Sequence, residues 1–272
     1  MVYLYAYTNH KENLDALRRA KVIYDALQTE GIECELLLND YRAQLLARDW
    51  GLPLATTIET IKDIDAVATI EDIIIIDSPE ELNGKVLEYS NYFKKVIYIK
   101  DICSDLVLEG AEIIELSETE NLFSLVAGVK EDKNLFIYGD SDYDKTIINN
   151  LEIFKNKKLD LYWGNYFFVK YEDILEEVFN KIIEAEEYYD AISVYQNIIT
   201  SDLQIAIEAQ VNGANVSYLA LSDMDSCRVE ILDKLNIDIF KDNITITDKI
   251  KKDNTIIKNI DTQIVKIIKS YV

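Results

Sequence analysis

Hydrophobic positions follow two different periods along the chain, and one unit of the second half shows both of them. Residues 197–200 form a short β-branched run that is typical of a strand. Ser201 follows, with Gln204 three residues later, and this spacing predicts a helix N-cap and a capping box. Apolar residues then recur at helical spacing until Gly213, a residue suited to a helix end, and residues 215–221 predict the next strand. The unit predicts one βαβ crossover.

The same succession of strands and helices fills both halves of the chain. In the first half, the pattern predicts strands at residues 2–8, 32–38, 72–77, 95–99 and 113–116, and helices at 14–29 and 41–49. In the second half, it predicts further strands at 134–138, 158–163 and 237–240, helices at 143–154, 171–188, 229–235 and 255–271, and a short helical turn at 191–196. This order favours a layered α/β protein.

Strands that alternate with helices are typical of parallel sheets with right-handed crossovers. The stretch 117–133 has mixed polarity and contains Gly128, and it is interpreted as a link between two such sheets. The sequence therefore predicts an α/β fold of two Rossmann-like domains, residues 1–128 and residues 129–272, with parallel sheets that face a cleft.

Charge and composition narrow the classes of partner. The formal net charge of −22 argues against a protein that binds nucleic acid phosphates or an anionic membrane surface. No apolar run approaches the roughly 18 residues that a membrane-spanning helix requires. We identify no signal peptide before the first predicted strand. We therefore expect a cytoplasmic protein whose partner is a small molecule, and the oligomeric state stays open.

The chain has one histidine, His10, and this count limits the possible chemistry. Zinc sites that use two or three histidines are excluded, and we predict neither a metal site nor a cofactor. Acid and base catalysis would fall to His10 or to a carboxylate such as Asp77, which ends the apolar run 72–77. Arg18 and Arg19 point about 100° apart on a helix, so we expect only Arg19 to face a ligand.

The loop after the strand 134–138 is a candidate site for an anion. Its Gly-x-Ser turn, Gly139 to Ser141, could offer backbone amides to a diphosphate. Asp142 completes the loop before the next helix. The alternative interpretation is an ordinary turn between a strand and a helix, in which Asp142 caps the helix.

The helix that starts at Ser201 supplies a second candidate. In open parallel sheets, ligands lie beyond the carboxyl ends of the strands, so the amides near Ser201 and Asp202 would face the site. Glu208, further along this helix, could accept hydrogen bonds from both ribose hydroxyls. The alternative is a glutamate that faces solvent or caps neighbouring backbone.

Several of these motifs together resemble one enzyme family. The sequence IITS at 198–201, followed by Glu208-Ala209, is similar to the C-terminal signature of the bacterial UDP-sugar hydrolases of pseudaminic acid synthesis. LFIYGDSD at 135–142 resembles that family's strand and Gly-Gly-Thr-Asp turn, and DIIIID at 72–77 resembles its apolar strand. The resemblance implies a GT-B arrangement related to glycosyltransferases, a UDP-sugar ligand, and a place in flagellin or surface-glycan biosynthesis.

The chain departs from this family where the reaction would occur. The family has Gly-x-Gly-His-x-x-Arg in its first loop, with the histidine as the proposed base. An alignment on Arg19 places Asp15-Ala16 at Gly-His, whereas an alignment on His10 places Asn13 at the arginine. Asp140 also replaces a glycine of the phosphate turn. The catalytic centre that the resemblance implies is therefore degenerate in this chain.

Two hypotheses follow. In the first, an enzyme breaks the bond between diphosphate and sugar: Gly139, Ser141 and Ser201 hold the phosphates, Glu208 holds the ribose, and His10 or Asp77 activates the nucleophile. In the second, the chain keeps the fold as a pseudoenzyme that serves as a binding or assembly module.

Overall fold

The computed structural model describes residues 1–11, 13–116, 128–167, 169–241 and 260–271. The chain divides into two compact units, Met1–Ser124 with Ile256–Val272 and Leu125–Thr255. Each unit contains one six-stranded sheet in which every paired strand is parallel. None of the helices in the described ranges combines the length and the apolarity that a bilayer crossing requires.

The first unit follows the predicted alternation of strands and helices. Its strands and helices are β1 (Val2–Ala6), α1 (Asp15–Thr29), β2 (Cys34–Leu38), α2 (Tyr41–Asp49), β3 (Thr56–Thr57), β4 (Ile73–Asp77), α3 (Tyr89–Tyr92), β5 (Lys95–Lys100) and β6 (Glu112–Glu115). The strand order is β3-β2-β1-β4-β5-β6.

The second unit repeats this plan. Its strands and helices are β7 (Glu131–Ile137), α4 (Thr146–Asn149), α5 (Leu151–Phe154), β8 (Asp160–Tyr162), α6 (Glu172–Glu176), β9 (Ile182–Ile183), α7 (Tyr188–Val194), β10 (Tyr195–Thr200), α8 (Leu203–Val211), β11 (Asn215–Leu219), α9 (Ser226–Lys234) and β12 (Asp238–Phe240). The strand order is β12-β11-β10-β7-β8-β9.

The two faces of the first sheet carry different layers. Ile74 and Ile76 of β4 pack with Tyr5 and Tyr89 in one buried cluster. Because successive side chains of a strand point to opposite faces, Asp77 points to the other face. Ala6 of β1 is paired with Asp77 in the register, so the carboxylate lies at the end of the two central strands.

The second sheet is held by an aromatic cluster and by an asparagine ladder. The ring centroid of Phe136 lies 4.6 Å from that of Phe154 and 6.3 Å from that of Phe179. Across three adjacent strands, the Nδ2 of Asn215 donates to Oδ1 of Asn197, and the Nδ2 of Asn197 donates to Oδ1 of Asn134, each at 3.0 Å. Such cross-strand contacts favour one register.

The predicted helix at 171–188 is wrong in its middle. The structure has α6, then the short strand β9, and then α7, which begins at Tyr188. The apolar residues 178, 179, 182 and 183 fit helical spacing, but Ile182 and Ile183 pair with β8 and complete the sheet edge. Tertiary pairing overrides the local pattern here. Similarly, the predicted helix 143–154 is divided into α4 and α5, and Lys145 has a φ of 59° before α4.

The last helix, α10 (Ile260–Lys269), belongs to the first unit. It packs on α1 and buries Ile264 and Ile268 completely. Lys269 forms an ion pair with Glu30, at the end of α1. The sequence-based division assigns this helix to the second domain, 129–272, because the amphipathic pattern does not reveal which sheet the apolar face covers. The predicted start of the helix, at 255–259, lies outside the described residues.

Candidate functional site

Each sheet has one position at which the chain reverses the direction of strand addition. In the first unit this position lies between β1 and β4, and in the second between β7 and β10. Ligands of open α/β sheets bind outside the carboxyl ends of the strands at such positions. We call residues 7–11 and 77–80 the first switch point, and residues 138–142 and 201–203 the second switch point.

A buried ion pair occupies the first switch point. Arg19 of α1 donates from Nε to Oδ2 of Asp77 and from Nη2 to Oδ1, both at 2.7 Å. Arg19 is 3% exposed and Asp77 is 2% exposed. Burial raises the pKa of the Asp77 carboxyl, and the adjacent guanidinium partly offsets this effect. Both carboxylate oxygens of Asp77, the predicted base, therefore accept hydrogen bonds from Arg19, the residue predicted to bind the nucleotide.

A second carboxylate extends this pair. Arg19 Nη1 lies 3.4 Å from Oδ1 of Asp101, whose side chain is half exposed. Burial opposes the charge of Arg19, but the carboxylates of Asp77 and Asp101 raise its pKa above the ordinary value. Arg18 is also buried, and its Nη1 donates to Oδ1 of Asp15 at 2.9 Å. Both arginines thus contact carboxylates of their own unit.

The loop after β1 places His10 in an exposed turn. The root of the loop is fixed, because the side chain of Asn39 accepts from the amide of Thr8 at 2.9 Å and donates to its carbonyl at 3.0 Å. The hydroxyl of Thr8 is buried, and it has no hydrogen-bond partner within the described residues. His10 therefore lies in the loop after β1, and its side chain is exposed to solvent.

Asp140, in the loop after β7, turns its side chain into the protein. Its carboxylate is fully buried, and Tyr162 Oη donates to Oδ1 at 3.2 Å. The carbonyl of Asp140 accepts from the amide of Tyr166 at 2.9 Å. Gly139, just before it, has a φ of 155°, a backbone conformation that favours glycine. The extra acidic group of this loop is therefore directed away from its outer surface.

The next two residues of the loop have different environments. Asp142 accepts from the amides of Thr146 and Ile147 at 2.6 and 2.9 Å and caps α4, which is the alternative considered for it from sequence. Burial raises the pKa of Asp142, and these amides oppose the rise. Ser141 is 9% exposed, and its buried hydroxyl has no partner among the residues that the structure describes.

The helix cap at the second switch point is one residue later than predicted. Asp202, not Ser201, is the N-cap of α8, and its Oδ1 accepts from the amide of Ile205 at 2.9 Å. Ser201 instead donates from Oγ to the carbonyl of Leu219 at 2.7 Å, and its own carbonyl accepts from Tyr218 Oη at 2.6 Å. Ser201 therefore links the end of β10 to β11 through two hydrogen bonds. The local sequence around Ser201 does not predict these contacts, because residues 218 and 219 are distant in the chain.

Glu208 does not face solvent, because α8 carries it into the core. It is 1% exposed, and its Oε2 accepts a hydrogen bond from Tyr188 Oη at 2.7 Å. The ring of Tyr188 packs edge-to-face against that of Tyr162, with 5.4 Å between centroids. Two buried carboxylates, Asp140 and Glu208, therefore meet two tyrosines that touch each other.

Sequence reasoning missed Tyr162, Gly164 and Tyr188. A Cβ on Gly164 would lie 2.3 Å from the backbone C and O atoms of Asp140, so only glycine fits this contact. The available signal was a glycine immediately after the predicted strand 158–163. The two tyrosines gave no signal, because they are ordinary apolar positions in the pattern.

No family model and no curated protein matches this chain. Solved structures are similar along nearly its whole length. The UDP-GlcNAc 2-epimerase of Methanocaldococcus jannaschii, in complex with UDP-GlcNAc and UDP, has a TM-score of 0.59 at 14% identity, over 99% of this chain and 100% of that chain.

Two bacterial structures are similar to a smaller extent. The UDP-GlcNAc 2-epimerase of Neisseria meningitidis bound to UDP-GlcNAc has a TM-score of 0.53 at 12% identity, over 89% of this chain and 88% of that chain. A putative UDP-N-acetylglucosamine 2-epimerase of Listeria monocytogenes has a TM-score of 0.52 at 11% identity, over 89% and 84%. At such identities the likeness establishes the fold: this chain is an α/β protein with a GT-B-type pair of Rossmann-like domains.

Proposed function

We propose that this protein binds a nucleoside-diphosphate sugar of the UDP-sugar class, with the diphosphate at the second switch point. The observation that carries this proposal is the set of unused hydrogen-bonding groups in the loop after β7. Ser141 and Gly139 are both buried, and neither makes a hydrogen bond within the described part of the chain. Nearly all buried polar groups in proteins have a partner, which here a phosphate oxygen would supply.

The surroundings of the loop also suit a diphosphate. The amides of Gly139 and Ser141 and the hydroxyl of Ser141 are neutral donors, like those of other backbone anion sites. The neighbouring strand leads directly into the start of α8, where the helix dipole favours negative charge and the N-cap Asp202 already supplies one carboxylate. Two carboxylates of the loop are directed elsewhere, because Asp140 accepts from Tyr162 in the interior and Asp142 caps α4.

The similar solved structures agree with this ligand class. Two of them are described as complexes with UDP-GlcNAc. We extend this ligand class to the present chain on the strength of the loop chemistry, together with the resemblance of LFIYGDSD and IITS to the UDP-sugar hydrolases.

The proposal also includes a possible reaction of the bound UDP-sugar. The active form would hydrolyse or transfer a UDP-sugar in flagellin or surface-glycan biosynthesis, with exposed His10 as the base. Asp77 is a poor base, because Arg19 occupies both of its oxygens. The same ion pair favours the second candidate, a non-catalytic binding or assembly module in which the first switch point has become structural.

Calorimetric titration tests the binding. We expect saturable heat with UDP and with UDP-GlcNAc, and a dissociation constant below about 1 mM. Pyrophosphate alone and uridine alone should each bind more weakly than UDP, because each makes only part of the contacts. Absence of heat and of any thermal shift at millimolar UDP would contradict the proposal.

Turnover separates the two candidates. The protein is incubated with UDP-GlcNAc, and NMR follows both released UDP and changes in the sugar. Turnover that is lost in His10→Ala supports the enzyme and the role of His10, whereas unchanged turnover in that variant rejects His10 as the base. Binding without any turnover supports the binding module.

A further inference from the structure

Three contacts from the segment 162–166 converge on Asp140. Tyr162 donates to its carboxylate, Tyr166 donates to its carbonyl, and Gly164 lies against its backbone. The contacts come from the end of β8 and the turn after it. Asp140 precedes Ser141, whose hydroxyl carries the proposed phosphate site.

The hydrogen bond from Tyr162 is required by the burial of the carboxylate. A fully buried carboxylate is costly unless it accepts hydrogen bonds, so the Asp140 side chain is stable in the core only with partners such as Tyr162 Oη. This bond therefore helps to hold the side chain of Asp140 inward, next to Ser141 in the chain.

The contact with Gly164 fixes the distance between the Asp140 backbone and the turn after β8. The ideal Cβ position of Gly164 lies 2.4 Å from the Cα of Asp140, a separation that no real Cβ allows. The two backbones are thus in direct contact, and the amide of Tyr166 closes the contact at 2.9 Å from the Asp140 carbonyl. The loop has little room to move toward β8.

We infer that Asp140 is a positioning residue, which holds the Gly139–Ser141 turn in the geometry that binds the diphosphate through its hydrogen bond with Tyr162. The inference rests on the proposed function and deepens it. It also explains how a carboxylate is tolerated where the resembling family has glycine: the side chain acts as an internal anchor and does not contact the ligand.

The test compares Asp140→Ala with Asp140→Asn, using UDP and uridine as probes. The alanine variant loses the anchor, and we expect its UDP affinity to fall on the order of tenfold, about the value of one hydrogen bond to a charged group. The asparagine variant keeps an oxygen that accepts from Tyr162, and we expect it to restore UDP binding to within about twofold. Uridine binding, followed by ligand-observed NMR, should change in neither variant.

Two further variants complete the experiment. Tyr162→Phe removes the donor without changing Asp140, and it should weaken UDP binding about threefold or more; it also serves if the alanine variant does not fold. Asp144→Ala removes an exposed carboxylate of the same loop, and UDP affinity should stay within about twofold because solvent screens that charge.

The outcomes are distinct. Wild-type UDP affinity in both Asp140→Ala and Tyr162→Phe would overturn the inference, as would an asparagine variant as weak as the alanine variant. Equal losses for UDP and uridine would indicate general damage to the unit and would also overturn it. Absence of UDP binding in the wild-type protein would refute the proposed function itself, and the inference with it.

Discussion

The two switch points share one topology and differ in chemistry. In each unit the outer strands are added on both sides of a central pair, β1 with β4 and β7 with β10. At the first, Arg19 and Asp77 form a buried ion pair, and the buried hydroxyl of Thr8 has no partner in the described residues. At the second, the carboxylate of Asp140 accepts from a tyrosine, and Gly139 and Ser141 remain without partners in the described residues.

The strand order of a parallel sheet determines where a ligand can bind, and the pairing of the nearby side chains determines whether that position is available. A buried ion pair is costly to open, since a ligand would have to replace contacts made by both charges. A loop with unpaired neutral donors has no such cost. The second switch point is therefore the better candidate for the diphosphate, and the first is mainly a stabilising contact.

The largest expected effect comes from opening the ion pair. Arg19→Ala leaves Asp77 buried without its main partner, and we expect the first unit to lose about 3–5 kcal/mol of unfolding free energy. The chain has two tryptophans, Trp50 and Trp163, one in each unit. Urea unfolding of a Trp163→Phe background, followed by fluorescence, therefore reports on the first unit alone.

The double variant Arg19→Met with Asp77→Leu is the control for this prediction. It removes both charges and should recover most of the lost stability, because apolar residues of similar volume often replace a buried ion pair without loss. An Arg19→Ala variant as stable as the wild type would contradict the assignment of this ion pair as a stabilising contact.

The next largest effect concerns the contact between Gly164 and the backbone of Asp140 at the second switch point. Gly164→Ala places a Cβ 2.3 Å from the backbone of Asp140 and must displace the loop. Overpacking of this kind costs about 1–3 kcal/mol, so we expect UDP affinity to fall about ten- to a hundredfold in calorimetry.

Gly31→Ala is the matched control. Gly31 has a φ of 69° and no atom within 4 Å of its Cβ position, and it lies in the first unit. The change should cost roughly 1–2 kcal/mol of stability, because alanine is strained in this left-handed conformation, and it should leave UDP affinity unchanged. Equal UDP affinity in the two variants would break the link between the Gly164 contact and the binding loop.

The smallest expected effect separates the two buried hydroxyls. Ser141→Ala and Thr8→Val each remove a hydroxyl without a partner in the described residues, so neither should lower the unfolding free energy. Only Ser141→Ala should weaken UDP binding, by about tenfold, because only that hydroxyl is assigned to the phosphates. Similar affinity losses in both variants would refute the distinction between the two switch points.

The fold could be predicted from sequence because strands, helices and helix ends are marked by residues that lie close together in the chain. β-branched runs such as 72–77 and the glycine at 213 mark strands and helix ends, and alternation predicts the parallel sheets. The sequence pattern also places His10, Asp77, Ser141 and Ser201 at or just after the carboxyl ends of strands, as the structure does.

The contacts that decide the chemistry of the site were not predictable in this way. Arg19 and Asp77 are 58 positions apart and Tyr188 and Glu208 are 20 apart, and a single sequence does not pair them. The error at the cap of α8 has the same origin. Ser201 satisfies the capping pattern, but its hydroxyl bonds to Leu219 of β11, so Asp202 becomes the cap.

The central claim is the location of the nucleotide, and amide hydrogen exchange with and without saturating UDP tests it most directly. We predict slower exchange at residues 138–146 and 201–205, with unchanged exchange at residues 7–11 and 77–80. Protection at the first switch point without protection at the second would contradict the account.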